Sequence, residues 1–231
     1  MDLRAVKAAT GPELAAYACA VAPNAQGLLH DAEVLAGAGS IARAYSLAVL
    51  SVEACGKAAG LVVLAVLPRR ERARAPVRRM LEWHQLKQIG GLIVARIPVA
   101  TLAAMPSQQS AQIINNLGSF ADEADSRKRR GFYVDMDSAG RICDPSQITQ
   151  AELSKQLAMA RRAVASASTL MTDNVQSRLA HPTADSRELA EAMVAALGET
   201  GSDRSPEAAA SVVTRTVDKL RDHPHQPLWP R

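Results

Sequence analysis

The stretch Arg78-Arg79-Met80-Leu81-Glu82-Trp83-His84-Gln85-Leu86-Lys87 sets a histidine five residues after one arginine, six after another and three before a lysine. Histidine moves a proton near neutral pH. Arginine and lysine beside it can bind a phosphate and stabilise the charge that develops on it. That combination suits metal-independent cleavage of RNA, in which a 2′-hydroxyl attacks the adjacent phosphate. A surface or core role for a helical histidine fits the same residues, since an arginine precedes a histidine at such distances often by chance. His84 and Lys87 share a helical face. Arg79 and His84 stand about 140° apart on a straight helix, so they converge only at a helix start or across a dimer.

A second set lies in Tyr45-Ser46-Leu47-Ala48-Val49-Leu50-Ser51-Val52-Glu53-Ala54-Cys55-Gly56-Lys57. Glu53 and Lys57 are four apart, on one face, among apolar neighbours. A buried charge without a partner is costly, so a pair, or a pair with a third group, is expected. Such a pair either holds helix register or forms a polar site in a bundle groove. Gly56 and Gly60, also four apart, would let another backbone approach closely.

The third set is basic and aromatic: Arg127-Lys128-Arg129-Arg130-Gly131-Phe132-Tyr133. Arg127, Lys128, Arg129 and Arg130 can contact phosphates while Tyr133 stacks on a base, a mixture that holds single-stranded RNA. Alternatively, the two aromatics anchor a hairpin onto helices and the basic residues face solvent. Arg69, Arg70, Arg72, Arg74, Arg78 and Arg79 form another basic cluster within eleven residues. Asp135 and Asp137 read as turn residues, and His223 and His225 lack a ligand set. No metal and no cofactor are expected.

These residues need elements to hold them. The helices expected run from Pro12 to about Val21, from Asn24 after a break at Pro23 to near Gly37, and from Ser40 to Pro68. A further helix is expected from Pro76 to about Arg96, with a possible bend at Gly90-Gly91. Another spans about Ser107 to Ala124 and leads into the basic run. Gly131–Asp135 and Arg141–Cys143 read as a small β-hairpin about the turn Asp137-Ser138-Ala139-Gly140. Thr149 and Glu152 have capping-box spacing and start a helix to about Arg178. Shorter helices follow, from Asp185 to Gly198 and from Ser205-Pro206 to about Arg221, before a proline-containing tail.

Composition agrees. With 231 residues, 48% hydrophobic and 22% charged, the chain can bury a core and is not wholly disordered. At 3% aromatic residues and with abundant alanine, an all-β sandwich is disfavoured and an all-α fold expected. The net charge is a mild +4. Cys19, Cys55 and Cys143 are odd in number and far apart, which disfavours disulfide or zinc frameworks and suits a cytoplasmic protein. The apolar run from Tyr45 to Leu67 is long enough to span a bilayer, but Glu53 and Lys57 interrupt it, so a buried helix and no membrane contact are expected.

Taken in order, Ala44-Tyr45-Ser46-Leu47-Ala48, Ser51 to Lys57, His84-Gln85-Leu86-Lys87, Arg129 to Asp135, Asp144-Pro145 and Ile148-Thr149 resemble the AbiV family of bacterial abortive infection proteins, a branch of the HEPN superfamily. The likeness covers roughly Asn24 to Arg178. It implies an all-α HEPN-type bundle over residues 1–180, a homodimer, and a role in defence against bacteriophage, with a phage-encoded trigger protein as a further partner. It also implies a metal-independent ribonuclease in which His84 transfers the proton and Arg79, or Arg78 in its place, contacts the phosphate. Glu53, Lys57 and Lys87 would line the same groove. Residues 181–231 form a C-terminal helical extension and tail outside the likeness. The competing expectation is a non-catalytic helical module that binds RNA or protein, or an antitoxin-like regulator.

Overall fold

A computed structural model of the chain describes residues 2–96, 102, 104–136, 140, 142–171, 179 and 182–222. Asp2 caps a short α1 (Leu3–Ala8) that the sequence reading did not include. Thr10 and Glu13 form a capping box at the start of α2 (Gly11–Gly37), which packs along α3 (Ile41–Val66). Gly39, at φ +77°, makes the turn between them in a conformation that favours glycine.

α2 runs straight through Pro23, where a break was expected. Proline inside a helix costs about 3 kcal/mol. Here Leu14, Ala18, Val21, Ala25, Leu29 and Ala32 continue one buried stripe on both sides of it. Ending the helix at Pro23 would withdraw half of that stripe from α3, so tertiary packing overrides the local signal.

α3 is the centre of the fold: 18 of its 26 residues are buried. By length and composition it could cross a membrane, yet its apolar surface is covered by neighbouring helices. Its alanines and glycines keep it thin, which lets four long helices reach it.

The single helix expected from Pro76 to Arg96 is two. After α4 (Arg69–Arg74), α5 (Val77–Glu82) ends at Trp83, whose backbone is extended at φ −73°, ψ 108°. α6 (His84–Arg96) starts afresh at the histidine. α6 continues through Gly90-Gly91, which is where it lies against α3. A Cβ on Gly91 would stand 2.3 Å from the Val52 carbonyl oxygen, and one on Gly56 would stand 1.7 Å from that of Lys87.

α7 (Ser107–Phe132) carries the whole basic run in helical form, together with Gly131 and Phe132, which were expected in a strand. A Cβ on Gly131 would meet the Ser46 hydroxyl at 2.0 Å, so the end of α7 lies directly on α3. The hairpin expected as a folded insertion is therefore not supported. Among the described residues only Asp135–Met136 and Ile142–Cys143 pair, antiparallel and two residues a side, and the fold is all-α. Asp137 lies outside the described residues, as do His223 and His225.

Asp144 caps a single 3₁₀ turn, Pro145–Gln147, and the Thr149–Glu152 capping box starts α8 (Gln150–Leu170). Its expected continuation to Arg178 falls largely outside the described residues. α9 (Ala184–Glu199) and α10 (Pro206–Asp222) match their expected spans closely; they pack on each other, α9 also against α3 and α10 against α7 and α6.

Candidate functional site

Two close helix contacts bring the site together. The α3–α6 contact at Gly56 and Gly91 sets the first turn of α6 opposite Glu53. The α3–α7 contact at Ser46 and Gly131 sets Lys128 on the other side, and the Ser46 hydroxyl donates to the Lys128 carbonyl at 2.8 Å. Each contact depends on a residue with little or no side chain, which is why the charged groups between them can meet.

Glu53 is 3% exposed and accepts from four groups. Lys128 Nζ lies 2.5 Å and Gln88 Nε2 3.1 Å from Oε1. His84 Nδ1 lies 2.7 Å and Lys87 Nζ 3.3 Å from Oε2. The carboxylate's capacity is filled, as burial of a charge requires. Burial pushes the Glu53 carboxyl up, but the His84 hydrogen bond and the Lys128 and Lys87 charges outweigh it and hold it at about 2. Lys128 also pairs with Asp125 at 2.7 Å, so two acids face two lysines around one imidazole.

His84 differs from its neighbours: its side chain is 50% exposed. It opens into a cleft of about 710 Å³, whose walls include Trp83, Gln85, Lys128, Arg129, Tyr133 and Arg204. The Lys128 ammonium, 3.3 Å from Nδ1, donates to the two nearer acids instead. The Glu53 carboxylate only accepts, so in the neutral ring Nδ1 carries the proton toward it. That leaves Nε2 with its lone pair free. The ring is thus oriented as a base by a buried acid, the geometry general-base catalysis needs.

Glu53, His84 and Asp125 bring ligand atoms within 4.8 Å of one another, a spacing a metal ion could use. Lys128 Nζ already stands among them, 3.3 Å from His84 Nδ1 and closer to both acids. Its ammonium supplies the charge there, and a divalent ion would have to displace it.

The other expected site residues are elsewhere. Lys57 does not pair with Glu53; it donates to the Tyr17 hydroxyl at 2.7 Å and lies over that ring. Arg78 pairs with Glu82 at 2.8 Å on the surface. Arg79 stacks on Trp83 and donates to the Leu197 carbonyl, the Thr200 hydroxyl and the Asp203 carbonyl, so its fork binds the C-terminal helices instead of meeting His84. The break at Trp83 puts Arg79 and His84 on separate helices, and it is the acceptors around Leu197–Asp203 that take the Arg79 guanidinium. Arg127 bridges Glu123 and Glu152 at 2.6 and 2.8 Å, tying α7 to α8. Arg130 is on α7 outside the cleft walls, whereas Arg129 and Tyr133 form part of them.

Sequence reasoning missed Asp125, Gln88 and Arg204. Asp125 stands three residues before Lys128 and Gln88 four after His84, so helical spacing read through those segments would have marked both. Arg204 carries no such signal.

Residues 13–165 match the AbiV family, of HEPN type. The chain belongs to the AbiV family. That supports a function of the abortive-infection, HEPN type. The AbiV match takes in Glu53, His84, Lys87, Asp125 and Lys128, and it ends before α9 and α10. No curated protein and no solved structure matches the chain.

Proposed function

We propose that this AbiV-family chain is a cytoplasmic anti-phage effector that takes RNA into the cleft over His84 and cleaves it without a metal. The observation that carries the reading is a half-exposed imidazole held through Nδ1 by a buried, fully satisfied carboxylate. His84 Nε2 takes the proton from a 2′-hydroxyl as that oxygen attacks the adjacent phosphorus. The bond from phosphorus to the 5′-oxygen breaks, leaving a 2′,3′-cyclic phosphate and a 5′-hydroxyl. Lys128 and Arg129 stabilise the charge on the phosphoryl oxygens. Tyr133, 69% exposed at the cleft edge, is available to stack on a base.

The departing 5′-oxygen needs a proton. A second copy of the chain would supply it through its own histidine, and Phe132 on the cleft wall together with the exposed Val134, Met136 and Ile142 that follow it in the chain offers apolar surface for that homodimer. A phage-encoded trigger is the remaining partner in this reading.

A second reading has its own observation. Arg79, the expected phosphate partner of His84, is committed to the C-terminal helices. A chain lacking that arginine at the histidine can bind RNA or a protein partner without cutting.

Purified protein incubated with RNA separates the two. Cleavage that survives a chelator, leaves cyclic phosphate ends and disappears in His84→Ala at unchanged melting temperature supports the nuclease. RNA binding without cleavage supports the second reading. Cleavage retained by His84→Ala overturns the first.

A further inference from the structure

The segment between α9 and α10 is fastened to the site by two donors from the family-matched part of the chain. Arg79 donates to the Asp203 carbonyl at 2.8 Å, and Trp83 Nε1 donates to the Arg204 carbonyl at 3.0 Å. Asp203 Oδ1 accepts from the Ser205 amide at 2.8 Å, which stiffens the turn from within. All of these bonds use the linker's backbone or Asp203, and none engages the Arg204 side chain. Arg204 is exposed and belongs to the wall of the cleft that contains His84, and its side chain pairs with no acidic group among the described residues.

The other cleft cations are partly spent. Lys128 is shared between Glu53 and Asp125, and Arg129 lies 3.7 Å from Asp125. A bound phosphodiester would meet its least compensated charge at Arg204. A guanidinium can fork onto two phosphate oxygens, and a backbone already held in place lowers the entropy lost in doing so.

We propose that Arg204 is a phosphate-binding residue of the cleft, supplied by the chain beyond the family match, with Arg79 and Trp83 as its positioning residues. The C-terminal helices are thus part of the binding site, and they give this chain a phosphate contact that its family core lacks. The inference rests on RNA as the ligand of the cleft.

The test is fluorescence anisotropy with a short single-stranded RNA, titrated at several KCl concentrations. Arg204→Ala is expected to weaken binding about tenfold and to lower the slope of log affinity against log salt by about 0.7, with an unchanged melting temperature. Arg204→Lys keeps the charge and restores the slope. Arg79→Met weakens binding by itself but adds nothing to Arg204→Ala, because it acts through that residue. RNA binding by the wild type that Arg204→Ala leaves unchanged in affinity and slope overturns the inference alone. No RNA binding by the wild type overturns the functional reading and this inference with it.

Discussion

Glu53 and Arg79 are both charged side chains drawn into the protein, and they are held by opposite means. Glu53 is surrounded by ionisable groups: two lysines and a histidine, with Gln88 as its neutral partner. Arg79 is surrounded by neutral ones: two backbone carbonyls, a hydroxyl and an indole face. The first arrangement can change charge and opens onto a cleft, as a site that moves protons requires. The second has nothing to titrate and serves as a fastening. An arginine in a sequence motif is therefore no guide to which of these it will become.

The largest effect should come from removing the acid. Glu53→Leu leaves Lys128 and Lys87 without their shared counter-charge, and breaking such a buried set costs about 3–5 kcal/mol. Urea unfolding measures it, and a loss under 1 kcal/mol would mean the cluster is far wetter than its burial implies.

Acid should come next. Glu53 is held at about 2 against an ordinary 4.5. A carboxyl whose value is lowered by folding contributes stability that is complete above its unfolded value and lost as pH falls through its folded one. Stability should thus drop by about 3 kcal/mol between pH 4.5 and 2 through this group. Glu53→Gln should flatten that part of the pH profile, while Arg79→Met should leave its shape intact. A profile equally steep in Glu53→Gln would assign the acid sensitivity to other carboxylates.

Arg79→Met should cost about 2 kcal/mol at every pH, since the bonds it removes end on neutral acceptors. It should also expose residues 200–205 to protease. Arg78→Ala, one residue away in a surface pair with Glu82, should change stability by less than about 0.5 kcal/mol. Equal losses in the two variants would erase the distinction between fastening and surface arginine.

Much of the scaffold was legible. The Thr149–Glu152 box, Ser205-Pro206 and Gly198 mark helix ends by local hydrogen bonding or backbone preference, and the structure has helix ends at or next to them. Gly56 was readable as a close approach because only a missing Cβ permits one. Pro23 misled because its local cost is smaller than what packing on both sides of it returns. Trp83 misled in the other sense, since nothing in a helical pattern announces an extended residue stabilised by a linker 121 positions away. The basic run lies past the helix end expected near Ala124, although the buried positions Ala121, Ala124, Asp125 and Lys128 follow helical spacing into it.

The sequence by itself determined which residues could do chemistry and many of the helix ends, because caps, prolines and apolar periodicity act over a few neighbours. It named Glu53, His84, Lys87 and Lys128 as candidates. Only the tertiary structure decided that Glu53 meets Lys128 instead of Lys57. A buried carboxylate is satisfied by whichever cations the helix crossings bring within reach. Lys57, although on Glu53's own helix, finds Tyr17 across the α2 contact. The same physics sends Arg79 to the C-terminal helices, and through them it places Arg204 at the cleft.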